Sequence, residues 1–337
     1  MNKIKYYFIL TIATLSLFSC SKSDSASVEP LRDYTEQYKT DIADIEEYLK
    51  NNYIIVTNKP GETEDQNVKI EKITDKTNPD QKPIWSYLNS TTFPTLKSKV
   101  VDLHGVNYVL YYMVLREGVG ESPCNVDGVL TSYNGTYLSR KAATAAGEPS
   151  AMVATQFEEV VFPQIFLNLF QTIKGWGETF PNFKVGTAVG VPGSGTIKYN
   201  DFGAGVMFLP SGLAYFAGGG GSIPSYAPLV FSFKLYALQR LDHDGDGVLS
   251  YLEDKDGDGY VRDMRNKTEY PNREGKYLDD TDQDGVPDFL DTDDDGDGYS
   301  TKLEIKDPLT GKPYAFDKIP VCGPSGFKNY LDPSCHP

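Results

Sequence analysis

Between Asp242 and Glu304 the chain carries 21 acidic residues against 7 basic ones, a balance of −14, while all 337 residues together sum to only −15. A segment so charged does not collapse by burying apolar surface. Its like charges hold it open unless cations draw them together. The remainder of the chain is therefore close to neutral and offers no basic face for nucleic acid. With 39% hydrophobic and 12% aromatic residues overall, it has the material for a real core.

The acidic residues fall on a grid. Asp242, Asp244, Asp246, Gly247, Ser250 and Glu253 occupy positions 1, 3, 5, 6, 9 and 12 of a twelve-residue loop, and Asp293, Asp295, Asp297, Gly298, Thr301 and Glu304 repeat the pattern. This resembles an EF-hand loop: alternate aspartates converge on one cation, glycine permits the sharp turn, and the final glutamate chelates with two oxygens. Val248 and Tyr299 stand at position 7, where a backbone carbonyl adds a ligand. Such an oxygen count favours Ca²⁺ over Mg²⁺. Two looser loops lie between. Asp280, Asp282, Asp284, Asp288 and Asp291 in "DTDQDGVPDFLD" resemble a thrombospondin type 3 calcium repeat. Asp254, Asp256 and Asp258 begin "DKDGDGYVRDMR", which ends in Arg265 where a carboxylate is wanted, so Asp263 or a neighbour is required. Glycine follows the third aspartate in all four loops, a regularity that chance acidity does not produce. We expect residues 241–305 to be a calcium array with little regular structure and few apolar residues, filled by millimolar extracellular calcium and structural in role.

The first twenty residues, "MNKIKYYFILTIATLSLFSC", have the early lysines, apolar run and small residue of a secretory signal. "LFSC" resembles a bacterial lipobox, with Phe18 as a departure, and marks Cys20 for lipidation. The expected location is the bacterial cell envelope, tethered by lipid to the outer membrane and facing the periplasm or the surface. Of the other cysteines, Cys322 and Cys335 suit a C-terminal disulfide worth on the order of 3 kcal/mol, leaving Cys124 odd and the pairing open. No CxxC or Cys/His cluster suggests redox chemistry or zinc.

Residues 21–83 read as a Ser-rich tether, a short helix with Ile42, Ile45 and Leu49 on one face, and a breaker-rich polar stretch that is a loop or irregular hairpin. Residues 84–240 read as many strands with one short helix: "VNYVLYYMVLREGVGESP" is a strand and turn, and "VDGVLTSYNGTYL" is a strand carrying an Asn-Gly turn. "FEEVVFPQIFLNLFQTIKGW" is a strand followed by a buried helix. Leu229, Phe231, Phe233 and Leu235 share one face of a final strand. The expected class is α+β, a sheet wrapped round a helix. Residues 306–337 form a C-terminal tail.

"YYMVLREGVGESP", "SYNG", "IKGW", "LPSGLAY" and "IPSYAPLVFSFKL" follow one another here as in the FKBP-type peptidyl-prolyl isomerases, a resemblance spanning about residues 84–238. It implies a curved antiparallel sheet clasping one helix, with an apolar pocket for a prolyl side chain. The implied pocket residues are Tyr133, Ile173, Trp176, Tyr215, Ile223 and Phe231. The Trp176 ring would form the floor, the Ile173 backbone N–H would bind a substrate carbonyl, and Tyr215 would offer its hydroxyl. The implied reaction breaks no covalent bond. Twisting an X-Pro amide crosses a barrier near 20 kcal/mol and takes tens of seconds uncatalysed. Reaching about 10 ms needs roughly 4 kcal/mol, which a dry aromatic pocket favouring the twisted imide supplies.

Two departures bear on turnover. The family's Phe-Asp pair, with its acid at the pocket rim, follows soon after the "YTG" segment. This chain instead reads "TYLSRKAATAAGEPSAM", and Phe157-Glu158 further on is not taken as the counterpart. A segment "TAVGVPGSGTIKYNDFGAG" is inserted before "VMFLPS", near the expected substrate entrance. The leading expectation is an isomerase acting on proline-containing segments of exported proteins. The alternatives are a catalytically weak chaperone or assembly factor that binds such segments, and a calcium-stiffened surface spacer or adhesion protein.

Overall fold

Strand residues that are apolar on both faces set the architecture, because a sheet whose two sides are both buried needs a layer on each. The computed structural model describes residues 30–335 except 144–146, 148, 191–192, 194, 272–278 and 324. The signal segment and Cys20 lie outside the described residues. From Asp33 onward the chain is one compact unit.

Helix α1 (Tyr34–Asn51) leads into a hairpin of β1 (Asn52–Val56) and β2 (Val68–Lys72). The main sheet comprises β3 (Thr95–Leu103), β4 (Val106–Arg116), β5 (Gly128–Lys141), β6 (Ala151–Val160), β7 (Leu167–Asn168), and, after the short helix α2 (Lys174–Thr179), β10 (Gly203–Leu209) and β11 (Leu229–Gln239). Between them an excursion forms the separate hairpin β8 (Thr187–Gly190) and β9 (Ile197–Asn200). The antiparallel order is β3-β4-β10-β11-β5-β6, with β7 also pairing β5. The fold is α+β, a curled antiparallel sheet with few helices.

The residues of β10 show why the sheet is covered twice. Met207 and Leu209 join Trp176, Phe180, Phe183, Phe231, Phe233 and Leu235 in the core around α2. Val206 and Phe208 point the other way, into a second core with Ile45, Tyr48 and Leu49 of α1. The face that seeks a partner on α1 thus lies against the back of the sheet.

Two expectations are corrected. Asn134-Gly135 is not a turn; β5 runs straight through it from Gly128 to Lys141. Glycine is needed there because a Cβ would stand 2.6 Å from Phe157 Cζ and 2.9 Å from Phe231 Cε1. Gly135→Ala is expected to cost about 1–3 kcal/mol through overpacking, measured as a lower urea midpoint at unchanged slope. The described residues of the insertion pack at the far end of β11 from Phe231. Tyr199 stacks on Tyr236 at 5.2 Å and Phe202 meets the same ring at 5.0 Å, five residues from Phe231 and so roughly 17 Å along β11.

The acidic segment is not coreless. Val248, Ile305, Ile319 and Tyr330 form one small cluster, and Cys124, Val126, Val261 and Phe289 another that joins it to the sheet domain. Cys322 and Cys335 are disulfide-bonded. Cys124 is buried and unbonded, its thiol pushed up to about 11 by burial. Among the described residues no helix is long and apolar enough to cross a membrane.

Candidate functional site

Helix α2 carries "KGWGET", and its glycines let it lie close to the sheet: a Cβ on Gly175 would strike the Leu209 side chain at 2.6 Å. That approach places the Trp176 ring edge-on to Tyr133 at 5.0 Å and to Phe231 at 5.3 Å. Phe231 also meets Tyr133 at 6.1 Å and Phe157 at 5.7 Å. Edge-to-face packing of this kind holds rings in fixed orientation. Ile173 and Ile223 belong to the same apolar cluster. Tyr215, 44% exposed, stands at the rim, where burial and the nearby Glu158 charge raise its hydroxyl pKa. The six sequence-selected residues therefore gather in one place.

Sequence reasoning passed over two more. The pairing of β5 with β6 jumps from Gly135↔Glu158 to Thr136↔Gln156, leaving Phe157 unpaired. Such a bulge re-aims side chains that would otherwise alternate. Phe157 and Glu158 consequently both serve the cup: Phe157 packs on Phe231, and the Glu158 carboxylate accepts a hydrogen bond from the Tyr133 hydroxyl. Burial, the Glu158 charge and that bond raise the Tyr133 pKa. The pair lies late in sequence because β5 and β6 extend into a long hairpin before returning to the cup. The Trp176 indole N–H is buried with no hydrogen-bond partner.

The rim loop is pinned from outside. Asp41 of α1 is 1% exposed and accepts from Ser211 N at 2.7 Å and Ser211 Oγ at 2.6 Å, just before Tyr215. Gln37 donates to the Tyr226 carbonyl at 3.4 Å, and Tyr34 stacks on Phe216 at 4.1 Å. Asp41→Ala leaves the buried Ser211 donors unmatched. It is expected to cost about 1–3 kcal/mol and to raise hydrogen exchange in residues 211–226.

The acidic loops pack against the far side of α2. Lys174 pairs with Glu269 at 2.7 Å, Glu178 with Lys99 at 2.6 Å, and Tyr260 is hydrogen-bonded to Glu178. Arg240, between sheet and loops, donates to buried Asp127 at 2.5 Å and to Glu121 at 2.9 Å.

In each loop the position 6 glycine donates its N–H to the position 1 aspartate: Gly247 to Asp242 at 3.2 Å, Gly259 to Asp254 at 2.7 Å, Gly285 to Asp280 at 3.0 Å and Gly298 to Asp293 at 3.0 Å. All four glycines have φ between +82° and +105°, which side-chain-bearing residues resist. Three sets of aspartates, 242/244/246, 254/256/258 and 280/282/284, each bring ligand atoms within 4.8 Å, as do 293/295/297. Glu304 feels Asp293, Asp295 and Asp297, and Asp291 feels Asp282 and Asp284. Val248 and Tyr299 each donate a backbone N–H to the preceding aspartate of the loop, at 2.7 Å.

Other carboxylates surround these loops. Asp288 accepts from both Thr281 N and Thr281 Oγ1 and feels the charge of Asp280. Asp263 is held by Arg265 at 2.8 and 2.9 Å. Asp279, 2% exposed with one oxygen unpartnered, lies beside Asp254 and Asp256. Asp294 joins Asp246 and Glu253. Neither Asp279 nor Asp294 sits on the loop grid, so spacing gave no sign of them.

Ca²⁺ fits this donor set. Buried oxygens of Asp244, Asp246, Glu253, Asp279, Asp280, Asp293, Asp294, Asp295 and Glu304 have no hydrogen-bond partner. With no cation, burial and mutual repulsion push Glu304 and Asp244 up to about 8, Glu253 to about 10 and Asp294 to about 11. Hard oxygens in this number are the ligands calcium takes.

Over 142 residues the chain is 32% identical to the "FKBP-type peptidyl-prolyl cis-trans isomerase FkpA" of Aeromonas hydrophila, covering 41% of each chain. The chain thus spans under half the length of that curated relative. Residues 243–328 match the family model described as BamM C-terminal. Among solved structures, a peptidyl-prolyl cis-trans isomerase of Pseudomonas syringae pv. tomato matches at 24% identity and TM-score 0.28, over 42% of this chain and 81% of its own. FkpA from Escherichia coli matches at 24% and 0.29, over 44% and 54%. The N-terminal domain of FKBP42 from Arabidopsis thaliana matches at 16% and 0.27, over 39% and 86%.

Proposed function

We propose that this chain is a peptidyl-prolyl cis-trans isomerase of the bacterial cell envelope, lipid-anchored through Cys20 and braced by Ca²⁺, acting on proline-containing segments of exported proteins. The observation that carries the reading is the ring contact among Tyr133, Trp176 and Phe231 with Glu158 at the rim. A prolyl ring enters among the aromatic faces, water is excluded, and the imide loses the solvation that favours its planar, charge-separated form. In this reading the Ile173 N–H and the Tyr215 hydroxyl hold the neighbouring carbonyls. No proton is transferred and no nucleophile is required.

The test is a protease-coupled assay of a proline tetrapeptide on the purified chain in calcium. Turnover that depends on the cup residues supports the isomerase. Peptide binding without turnover supports the chaperone reading, and neither activity supports the spacer. Cys20→Ala is expected to release the protein from the membrane fraction, read by lipid labelling and fractionation.

A further inference from the structure

Asp294 occupies position 2 of its own loop, where the calcium grid assigns nothing. It is 1% exposed, and neither of its carboxylate oxygens has a hydrogen-bond partner. Its ligand atom lies within 4.8 Å of those of Asp246 and Glu253, which belong to the first loop and are 2% and 4% exposed. Both Glu253 oxygens and Asp246 Oδ2 are likewise unpartnered. Three buried carboxylates converge, and five of their oxygens have no partner. Burying such charges unpaired costs several kcal/mol per group; a divalent cation removes that cost and calcium accepts six to eight oxygens.

We propose that Asp246, Glu253 and Asp294 share one Ca²⁺, so that an ion of the first loop is completed by a carboxylate from the fourth. The inference rests on the calcium reading above and adds to it a specific cross-link. Glu253 and Asp294 are 41 residues apart in sequence, and the ion ties these segments together as a removable counterpart of a disulfide. The array then closes as a unit, instead of as four independent loops.

The test compares wild type, Asp294→Asn, Glu253→Gln and the double variant by calcium titration calorimetry on the intact chain, and by thermal unfolding in saturating calcium and in chelator. Asp294→Asn is expected to weaken one ion roughly tenfold or more, Glu253→Gln to weaken the same ion, and the double variant to lose no further ion. Asp294→Asn is also expected to lower the melting temperature in calcium by more than it does in chelator, where no ion is held. If the wild type binds calcium but Asp294→Asn leaves its isotherm unchanged, or if the double variant loses two ions, the cross-link is wrong and the calcium reading stands. A fall in melting temperature of equal size in both conditions also overturns it, since Asp294 would then support the fold without an ion. If the wild type binds no calcium, the calcium reading itself fails.

Discussion

Removing calcium from the intact chain is expected to unfold residues 241–305 and to slow turnover at the cup. An ion present at a hundred times its dissociation constant contributes about 2.7 kcal/mol. Four such ions come to roughly 11 kcal/mol, comparable to the whole stability of an ordinary domain, about 5–15 kcal/mol. The two small clusters around Phe289 and Tyr330 do not replace that. The effect reaches the cup because Glu269 and Tyr260 hold Lys174 and Glu178 on the helix bearing Trp176. Limited proteolysis and circular dichroism with and without chelator read the unfolding, and the proline assay reads the coupling. Equal protease resistance in both conditions would sink the prediction.

The pH dependence should change sign with the ion. In chelator, Asp244 and Glu304 at about 8, Glu253 at about 10 and Asp294 at about 11 all lie above their unfolded values near 4. The folded state then binds more protons, so stability is fully present below about pH 4 and is lost as pH rises through the folded values. Acidifying the chelated protein from pH 8 to pH 5 should therefore shift this segment back towards the folded state, read by circular dichroism. In calcium the ligands must be ionised, and the same acidification should lower the melting temperature.

The second large effect is at the cup. Trp176→Ala removes the floor and, because the ring is 5% exposed, is expected to cost about 3–5 kcal/mol of stability as well. Tyr133→Phe separates the two consequences. It keeps the ring that meets Trp176 and Phe231 but frees Glu158 of its hydroxyl partner, with a stability change of about 1 kcal/mol. If the rim geometry matters to the twisted imide, kcat/KM in Tyr133→Phe falls by about tenfold, equivalent to about 1.4 kcal/mol, with the urea midpoint nearly unchanged. A Trp176→Ala variant that stays folded in calcium and turns over at the wild-type rate would remove the cup from the mechanism.

Much of this arrangement is legible in the chain. The alternation of Leu229, Phe231, Phe233 and Leu235 announces a strand with one face in the core, because successive side chains must alternate. The spacing of aspartates and glycines announces cation loops, because only glycine takes the turn that lets its N–H return to the first carboxylate. Those signals are local and survive without knowledge of the fold. Phe157 and Glu158 carry no such local signal, only a Phe-acid pair displaced along the chain. Their joint service to the cup depends on a bulge opposite Gly135, set by how two strands pair. Asn134-Gly135 misleads for the same reason, since the glycine answers to Phe157 and Phe231 across the sheet and not to a turn.

Sequence by itself determined the elements, the acidic grid and the residue types available for a proline pocket, all of which follow from periodicity and side-chain chemistry within short windows. Tertiary structure alone decided that α1 backs the sheet and pins the rim through Asp41, that Glu158 faces Tyr133, and that Asp294 meets Glu253. Each of these is a contact between segments far apart in the chain. Its energy depends on shared burial and charge, which no local pattern encodes.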